Sequence, residues 1–154
     1  VQQLTDDAFA ELHPAWSPDG RLLAVATDQG GGTDLGTLRF GRPRLALVDP
    51  VGGRLRPLPI PAGFDGARMS NPQWSPDGRG LYFVSDAGGV ADVFRLEVAT
   101  GRVGRVTQVA TGVSGLTERS PALSVAAATG ELYFTTFDGS AYHVHALDAG
   151  ALGE

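Results

Sequence analysis

The sequence carries the stretch HPAWSPDGR at residues 13–21 and a near copy, NPQWSPDGR, at residues 71–79. A weaker copy, SPALS, follows at residues 120–124, where Leu123 takes the place of the tryptophan. Self-similarity at a spacing of some tens of residues indicates a repeat architecture. Each copy is therefore expected to begin one structural unit of the same kind.

Two short apolar runs follow each copy. A continuous apolar run of this length, bounded by turn residues, is typical of a strand that is buried on both faces. The first runs are LLAVAT, LYFVS and LYFTT at 22–27, 81–85 and 132–136, and the second are LALVD, VFRLE and VHALD at 45–49, 93–97 and 144–148. Glycine-containing turns then lead to short fourth segments near 54–58 and 103–108.

The repeat unit is thus four short antiparallel strands joined by tight turns, which is the strand pattern of a propeller blade. Frequent turns fit the composition, since the chain has 22 Gly and 10 Pro in 154 residues. The sequence predicts an all-β chain in which residues 1–154 form one β-propeller fragment of three four-stranded antiparallel blades. We expect the blades at residues 13–60, 71–109 and 120–149.

Several residues of the repeated stretch are predicted to have structural roles. Asp-Gly pairs suit tight hairpins, because glycine adopts positive φ freely and aspartate tolerates it. A tryptophan at the same position in two blades is expected to pack between neighbouring sheets. The predicted turn residues are Asp19, Gly20, Asp77 and Gly78, and the predicted core residues are Trp16, Trp74 and Leu123.

The segment PxWSPDGR resembles the repeat signature of TolB-like propellers, which also occurs in the propeller domains of prolyl-oligopeptidase-type hydrolases and of the tricorn protease. The resemblance covers nearly the whole chain, closely in the second blade and loosely in the third. In that family the motif is structural, so it implies a fold better than an activity. The resemblance also implies an exported bacterial setting, periplasmic or extracellular.

The number of strands decides how the blades can close. The third blade has three predicted strands, and Val1–Thr5, which is similar to residues 105–108, is predicted to be the strand that completes the last blade. Three blades are too few to close, since propellers are built from about 4–8 blades, and an open half-ring exposes two apolar faces. We expect a homodimer in which two chains form a six-bladed ring. The alternative is that the chain is a fragment of a longer propeller.

Charge and composition argue against several classes of partner. The formal net charge is −5 and all 12 basic residues are arginine, whereas nucleic-acid binding favours a basic stripe. No apolar run is long enough to cross a membrane, and the amino-terminal residues lack the pattern of a signal peptide. The absence of lysine and cysteine removes the P-loop lysine, the Schiff-base lysine and the thiolate metal site. We predict no nucleic-acid partner and no membrane insertion.

The candidate catalytic and metal-binding motifs are weak. GVSGL at 112–116 has leucine where the serine-hydrolase elbow GxSxG needs its second glycine. The glycine-rich stretch at 30–36 lacks the spacing of a dinucleotide-binding loop. His143 and His145 share a strand face that could hold a metal, but with only His13 elsewhere they are expected to be structural. We predict no catalytic residue, no cofactor and no metal.

Loop lengths single out one rim of the predicted propeller. Antiparallel order puts the tight turns on one rim and the long segments, 28–42, 59–70 and 110–119, on the other. Rigid scaffolds place binding residues on such loops, and protein interfaces favour aromatic and arginine side chains. The segments are equally consistent with tolerated surface insertions. The predicted binding residues are Arg39, Phe40, Arg42, Phe64, Asp65, Arg68, Met69, Glu118 and Arg119.

The sequence predicts a non-catalytic propeller scaffold that binds a protein or peptide through the long-loop rim. Two alternatives remain open: the substrate-gating propeller of a serine peptidase whose catalytic domain lies elsewhere, and an excised or engineered half-propeller that only self-assembles. A GxSxG motif in the flanking coding sequence would favour the peptidase. Two-fold association without any ligand would favour the self-assembling fragment.

Overall fold

The computed structural model describes residues 1–30, 32–117 and 119–148. These residues form β-strands and turns, and none of them belongs to a helix long and apolar enough to span a membrane. Short strands are expected where turn residues recur this often. The strands are β1 (Glu11–Trp16), β2 (Leu23–Thr27), β3 (Arg44–Val48), β4 (Leu55–Pro57), β5 (Met69–Trp74), β6 (Gly80–Ser85), β7 (Asp92–Glu97), β8 (Val103–Arg105), β9 (Leu123–Val125), β10 (Leu132–Phe137) and β11 (Tyr142–Leu147).

The strands form three antiparallel sheets, each in simple meander order. We call these sheets blade 1 (β1–β4), blade 2 (β5–β8) and blade 3 (β9–β11). The predicted all-β propeller architecture is confirmed, with two four-stranded blades and a third that has three strands in this chain. The first strands begin at Glu11, Met69 and Leu123. The blade bounds 13–60, 71–109 and 120–149 stay predictions. Val1–Thr5 belong to no strand here, and their pairing with a last blade stays a prediction.

A β-bulge interrupts the first strand of blades 1 and 2 at the same place in the repeat. The pairing of β1 with β2 and of β5 with β6 shifts register there. His13 and Asn71 occupy these bulges with φ angles of 54° and 50°. A non-glycine residue with positive φ is uncommon and persists where surrounding contacts hold it. Both side chains make such contacts, and both reach from their own blade toward the next one.

Asn71 joins blade 2 to blade 3. Its side chain is 3% exposed, and Oδ1 accepts the backbone N–H of Ala122 at 2.6 Å and of Leu123 at 2.9 Å. Its Nδ2 donates to the carbonyl oxygen of Leu123 at 3.2 Å. Asparagine visits positive φ more readily than most residues. Asparagine at position 71 therefore does two things: it tolerates the positive φ of the bulge, and it forms the hydrogen bonds between blades 2 and 3.

The apolar core lies between the blades, with one cluster at each blade-to-blade contact. Trp74 is 8% exposed, and its indole Nε1 donates to the carbonyl oxygen of Ala15 in blade 1 at 3.1 Å. Leu123 is buried between blades 2 and 3. The buried clusters make the stack of blades continuous from the first to the third.

Trp16 is predicted to be a core residue, but it is 57% exposed in the described chain, which by itself does not bury it. Trp74 is buried because blade 1 stands on the side of blade 2 that its indole faces. Trp16 occupies the same repeat position, but no blade of the described chain stands on the corresponding side of blade 1. The repeat position sets the direction of the side chain, whereas the neighbouring blade decides its burial.

The two Asp-Gly turns share one hydrogen-bond pattern. Gly78 has a φ of 70°, and the Ser75 hydroxyl donates to Asp77 Oδ1 at 2.5 Å. The equivalent bond in blade 1 runs from Ser17 to Asp19. The serine hydroxyl, together with the backbone N–H two residues after the aspartate, holds the pKa of each carboxyl below its usual value. The charged aspartates therefore stabilise the two turns that the repeat motif predicts.

Candidate binding site

The meander order of each blade puts all long connections at one rim. The second-to-third-strand loops and the links between blades alternate with tight turns, so they share one end of the strands. We call this end the loop rim and the opposite end, which carries the Asp-Gly turns, the turn rim. The loop rim consists of residues 28–43, 58–68, 86–91, 106–122 and 138–141, of which the structure describes all but 31 and 118.

A pocket of about 410 Å³ opens at the loop rim between blades 1 and 2, and we call it the rim pocket. Several separate segments of the chain meet in it, and three of them carry predicted binding residues. Phe40 and Arg42 come from the loop between β2 and β3, Arg68 from the link before β5, and Arg119 from the link before β9. The fold therefore brings four of the predicted binding residues together. The volume is within the range of small-ligand pockets.

Asp28 and Asp86, which follow β2 and β6, hold the walls of the rim pocket. Each carboxylate accepts a backbone N–H from the segment before the first strand of its own blade, from Ala10 at 2.9 Å and from Arg68 at 2.8 Å. Asp86 also accepts Nη1 of Arg42 at 2.8 Å. The same aspartate-to-backbone hydrogen bond thus occurs on both sides of the pocket. Asp86 also neutralises the charge of Arg42.

His13 ties the Arg119 side of the rim pocket to blades 1 and 2. Its Nδ1 accepts the backbone N–H of Asn71 at 3.3 Å, and its Nε2 lies 2.6 Å from the carbonyl oxygen of Arg119. Because Nδ1 accepts a hydrogen bond, the ring proton is on Nε2, which donates to Arg119. One tautomer therefore satisfies both partners and holds the backbone of Arg119 at the pocket.

The rim pocket places a cationic group next to apolar surface. Arg119 is exposed and forms no ion pair within the described part of the chain. Phe40 is 65% exposed and lines the same pocket, with further apolar surface from Leu12 and Pro43. A carboxylate that carries a neighbouring apolar group is complementary to this arrangement.

A second pocket of about 470 Å³ opens at the loop rim between blades 2 and 3. It is lined by residues 111–117, Ala122 and Tyr142, and it shares Arg68 and Ser70 with the rim pocket. The two pockets adjoin each other along the start of β5. A ligand longer than one side chain can therefore contact both.

Two predicted binding residues belong to the core instead. Phe64 is buried, and its ring centroid lies 5.8 Å from that of Phe83 and 5.0 Å from that of Phe94. Met69 is buried in the same cluster. Phe64 and Met69 therefore lie in the core and not on the exposed surface of the loop rim, because the link between blades 1 and 2 folds over the apolar face of blade 2. A binding role for them stays a prediction.

The other predicted binding residues lie outside the rim pocket. Arg39 is exposed and forms an isolated bridge with Asp34. Asp65 is exposed in a neighbouring depression that Arg42 and Asp86 also line. Glu118 lies outside the described residues. The rim pocket is thus built from a part of the predicted set.

His13, Asp28 and Asp86 line the rim pocket but are absent from the residues predicted to bind. A signal was present, since an aspartate follows the second strand of every blade, at Asp28, Asp86 and Asp138. In blade 3 the equivalent residue, Asp138, forms hydrogen bonds within the β10–β11 turn. The backbone N–H of Ala141 and the groups of Ser140 bind it and hold its pKa well below the usual value. The recurrence of this aspartate in the sequence indicates a structural role after the second strand. It does not indicate that two of the three aspartates line a pocket.

His143 and His145 each contact a different protein group. Nε2 of His143 lies 2.8 Å from Oδ2 of Asp138, and Nε2 of His145 lies 2.9 Å from the hydroxyl of Thr136. Their ring centroids are 6.5 Å apart. Across residues 1–30, 32–117 and 119–148 there is no cluster of three or more His, Cys, Asp or Glu able to hold a metal.

No family model matches the chain. Among solved structures it is similar to TolB from Acinetobacter baumannii, with a TM-score of 0.64 and 21% identity over 90% of this chain and 30% of that one. Puromycin hydrolase gives a TM-score of 0.71 and 20% identity over 99% of this chain and 22% of that one. The β-propeller domain of the Trilobed protease from Pyrococcus furiosus gives a TM-score of 0.59 and 12% identity over 94% of this chain and 41% of that one.

These similarities concern the fold. The chain spans less than half the length of each of the three proteins, and the identities are low. The matches nevertheless extend over at least 90% of the chain, so they cover the three blades as a set. Together with the three meander sheets, they show that the chain has the fold of a β-propeller, of which it forms a part.

Proposed function

We propose that the chain is the ligand-binding part of a propeller scaffold, and that a peptide or exposed protein segment binds at the loop rim without being chemically changed. The observation that carries the proposal is the rim pocket, where predicted binding residues from three separate segments converge. Loops held by a rigid scaffold are common sites of recognition. Arginine and aromatic side chains are the types that contribute most at such interfaces.

The charges and exposure of the pocket residues point to an acidic segment with a neighbouring apolar side chain. Arg42 is already paired with Asp86, and the buried Asp28 accepts a backbone N–H. Arg119 has no ion pair in the described structure, so it is the group to which an incoming carboxylate would bind. Phe40 supplies the apolar contact, since its ring is mostly in water when the pocket is empty.

Peptide display tests this proposal without a known ligand. We expect a random heptapeptide library selected on the chain to enrich Asp or Glu next to Phe, Tyr or Leu. Binding of the selected peptides, measured by fluorescence anisotropy, should weaken at least about tenfold in Arg119→Ala, because a charge-assisted hydrogen bond contributes about 1.5–3 kcal/mol. Phe40→Ala should weaken it by a similar factor through the lost apolar contact.

Matched controls come from the turn rim. Arg21 and Arg79 are exposed arginines beside the Asp-Gly turns, on the opposite end of the same blades. Arg21→Ala and Arg79→Ala should leave the affinity of the selected peptides unchanged. Loss of binding in these variants and not in the loop-rim variants would put the site on the wrong rim. Selection of basic peptides would contradict the assigned chemistry.

The competing function is a gating propeller that controls access to a serine peptidase. Its support is the similarity of the whole chain to part of puromycin hydrolase and to the propeller of the Trilobed protease. A GxSxG elbow in the coding sequence downstream, with a histidine and an acid further on, would establish this alternative. Peptide binding by the chain alone would favour the scaffold.

An exported bacterial setting, periplasmic or extracellular, belongs to the same proposal. Its support is the likeness of the PxWSPDGR repeats to those of TolB-like propellers. Fractionation of the native host with an antibody raised against the chain tests it. Recovery of the protein with the cytoplasmic fraction would refute it.

A further inference from the structure

The third strand of blade 2 begins with a buried charge that the blade itself neutralises. Asp92 is fully buried and pairs with Arg105 of the neighbouring strand β8. Its Oδ1 also accepts the hydroxyl of Thr107 at 2.8 Å and the backbone N–H of Val109 at 2.9 Å. A buried charge is tolerated where it is paired and hydrogen-bonded. Blade 2 thus supplies from its own residues the counter-charge that this position requires.

The strand register puts Arg44 and His143 at the position of Asp92 in blades 1 and 3. The three residues lie opposite buried hydroxyl residues of the second strands, Thr27, Ser85 and Thr136. In blade 3, Nε2 of His143 lies 2.8 Å from the carboxylate of Asp138. In blades 2 and 3, therefore, the polar group at this position has a partner from its own blade.

Arg44 has no such partner within the described part of the chain. The register places Pro57 where blade 2 has Arg105, so β4 offers no charged side chain at that point. Arg44 is half-buried and forms no ion pair with any described residue. Its Nε is buried and has no hydrogen-bond partner among these residues. Because a guanidinium that has lost part of its water needs a compensating charge, an anion from outside the chain is complementary to Arg44.

A cavity of about 60 Å³ lies beside Arg44 at the loop rim, and we call it the arginine cavity. Arg42 and Arg44 line it, and no carboxylate is among its described lining residues. The rest of the lining comes from the link between blades 1 and 2, at Ile60, Phe64, Gly66, Ala67 and Met69. A water molecule takes up about 30 Å³ of the liquid, so the cavity has room for a small anion. It is far smaller than the roughly 300–1,000 Å³ that pockets for larger organic ligands occupy.

Contacts outside the arginine cavity hold both guanidinium groups in place. A Cβ at Gly30 would lie 2.7 Å from Nη2 of Arg44, so this guanidinium packs directly against the glycine backbone. Gly30 has a φ of 68°, which glycine adopts freely. Arg42 donates its Nη1–H to Asp86 at 2.8 Å, and a guanidinium has five N–H donors, so Arg42 keeps donors for a second acceptor. The two side chains are thus positioned before an anion binds.

We propose that the arginine cavity binds a small monovalent anion, either a halide or a single carboxylate group, with Arg44 as the principal ligand. The Nε–H of Arg44 then donates to the anion, and Arg42 contributes a second guanidinium. The bound anion connects β3 to the link between blades 1 and 2, so it stabilises the folded chain. The site does not depend on peptide binding at the rim pocket, because neither Arg119 nor Phe40 lines the arginine cavity.

Urea unfolding in different sodium salts tests the site. Chloride and formate are the probes, and gluconate, which is too large for the cavity, keeps the ionic strength constant. The midpoint of unfolding should rise with at least one of the two probes and level off as the site fills. The stronger response shows whether the halide or the carboxylate is the better ligand. A parent protein whose midpoint is the same in all three salts would overturn the proposal.

Two variants assign the response to a residue. Arg44→Gln should shift it to anion concentrations at least about tenfold higher, because charge-assisted hydrogen bonds are the strong ones. Arg56→Gln is the matched control, since Arg56 is an exposed arginine of β4 in the same blade, and it should leave the response unchanged. An equal response in Arg44→Gln and in the parent protein would overturn the proposal.

NMR of the stabilising anion, ³⁵Cl for chloride or ¹³C for formate, detects binding directly and does not require Arg44→Gln to fold. The parent protein should broaden the resonance of the anion. Arg44→Lys, which keeps the charge but lacks the guanidinium donors, should remove most of the broadening, whereas Arg119→Ala should retain it. Broadening that persists in Arg44→Lys would overturn the proposal, and its loss in Arg119→Ala instead would place the anion in the rim pocket. Weaker binding of the selected peptides to Arg119→Ala is a separate result, so the two proposals can fail independently.

Discussion

Replacement of Asn71 by alanine tests whether the bulge asparagine holds blades 2 and 3 together. The change removes two acceptor contacts to the buried backbone N–H groups of Ala122 and Leu123, and each buried donor left unpaired costs about 1–3 kcal/mol. It also leaves alanine at a φ of 50°, where a residue with a Cβ pays about 1–2 kcal/mol. We expect Asn71→Ala to lower the free energy of unfolding by about 4 kcal/mol.

Urea unfolding at neutral pH, followed by far-UV circular dichroism and tryptophan fluorescence, measures this loss. Asn71→Gly separates the two causes, since glycine accepts the positive φ but makes no side-chain hydrogen bond. Its loss should be about 1 kcal/mol smaller than that of alanine. If Asn71→Ala unfolds within about 1 kcal/mol of the parent protein, the hydrogen bonds between the blades contribute little and the reasoning is refuted.

Three further predictions concern the core and the turns. Trp74→Ala should cost about 3–5 kcal/mol of unfolding free energy, whereas Trp16→Ala should cost less than about 1 kcal/mol, measured by urea unfolding. Equal losses would contradict the difference in burial. Phe64→Ala should lower the melting temperature without altering the affinity of the selected peptides at equal folded fraction, and a specific loss of binding would return Phe64 to the site. Because the pKa of Asp77 is lowered below the usual value of about 3.9, its contribution to stability is complete above that pH and is lost as the pH falls through the folded value. Asp77→Asn should therefore make stability depend less on pH below about 4, and an unchanged acid profile would refute the role of the charge.

Much of the fold could be predicted because its signals are local. The apolar runs and the turns between them depend on residues near in sequence, and a strand buried on both faces leaves a continuous apolar run. The copies at 13–21 and 71–79 then show that the same unit recurs. Loop length also depends on sequence alone, so the long segments could be assigned to one rim by alternation of the strands.

The site could be predicted only in part, because loops that look alike in sequence have different neighbours in space. Phe40 and Phe64 both lie in long segments, but Phe40 is exposed at the rim pocket and Phe64 packs on the core of blade 2. His13 gave no signal, since its role depends on a carbonyl oxygen 106 residues away, in Arg119. No local pattern shows that these segments meet.

The sequence by itself determined the repeat, the four-stranded unit, the turn chemistry and the rim on which the long segments lie. Only the tertiary structure decided which copy of a repeated residue is buried and which side chains share a pocket. Trp16 and Trp74 are the same residue in the same motif, yet one is 57% exposed and the other 8%. The physical reason is that the burial of a side chain, and the side chains that it meets in a pocket, depend on the neighbouring blade. A repeat motif encodes the blade itself but not what lies beside it.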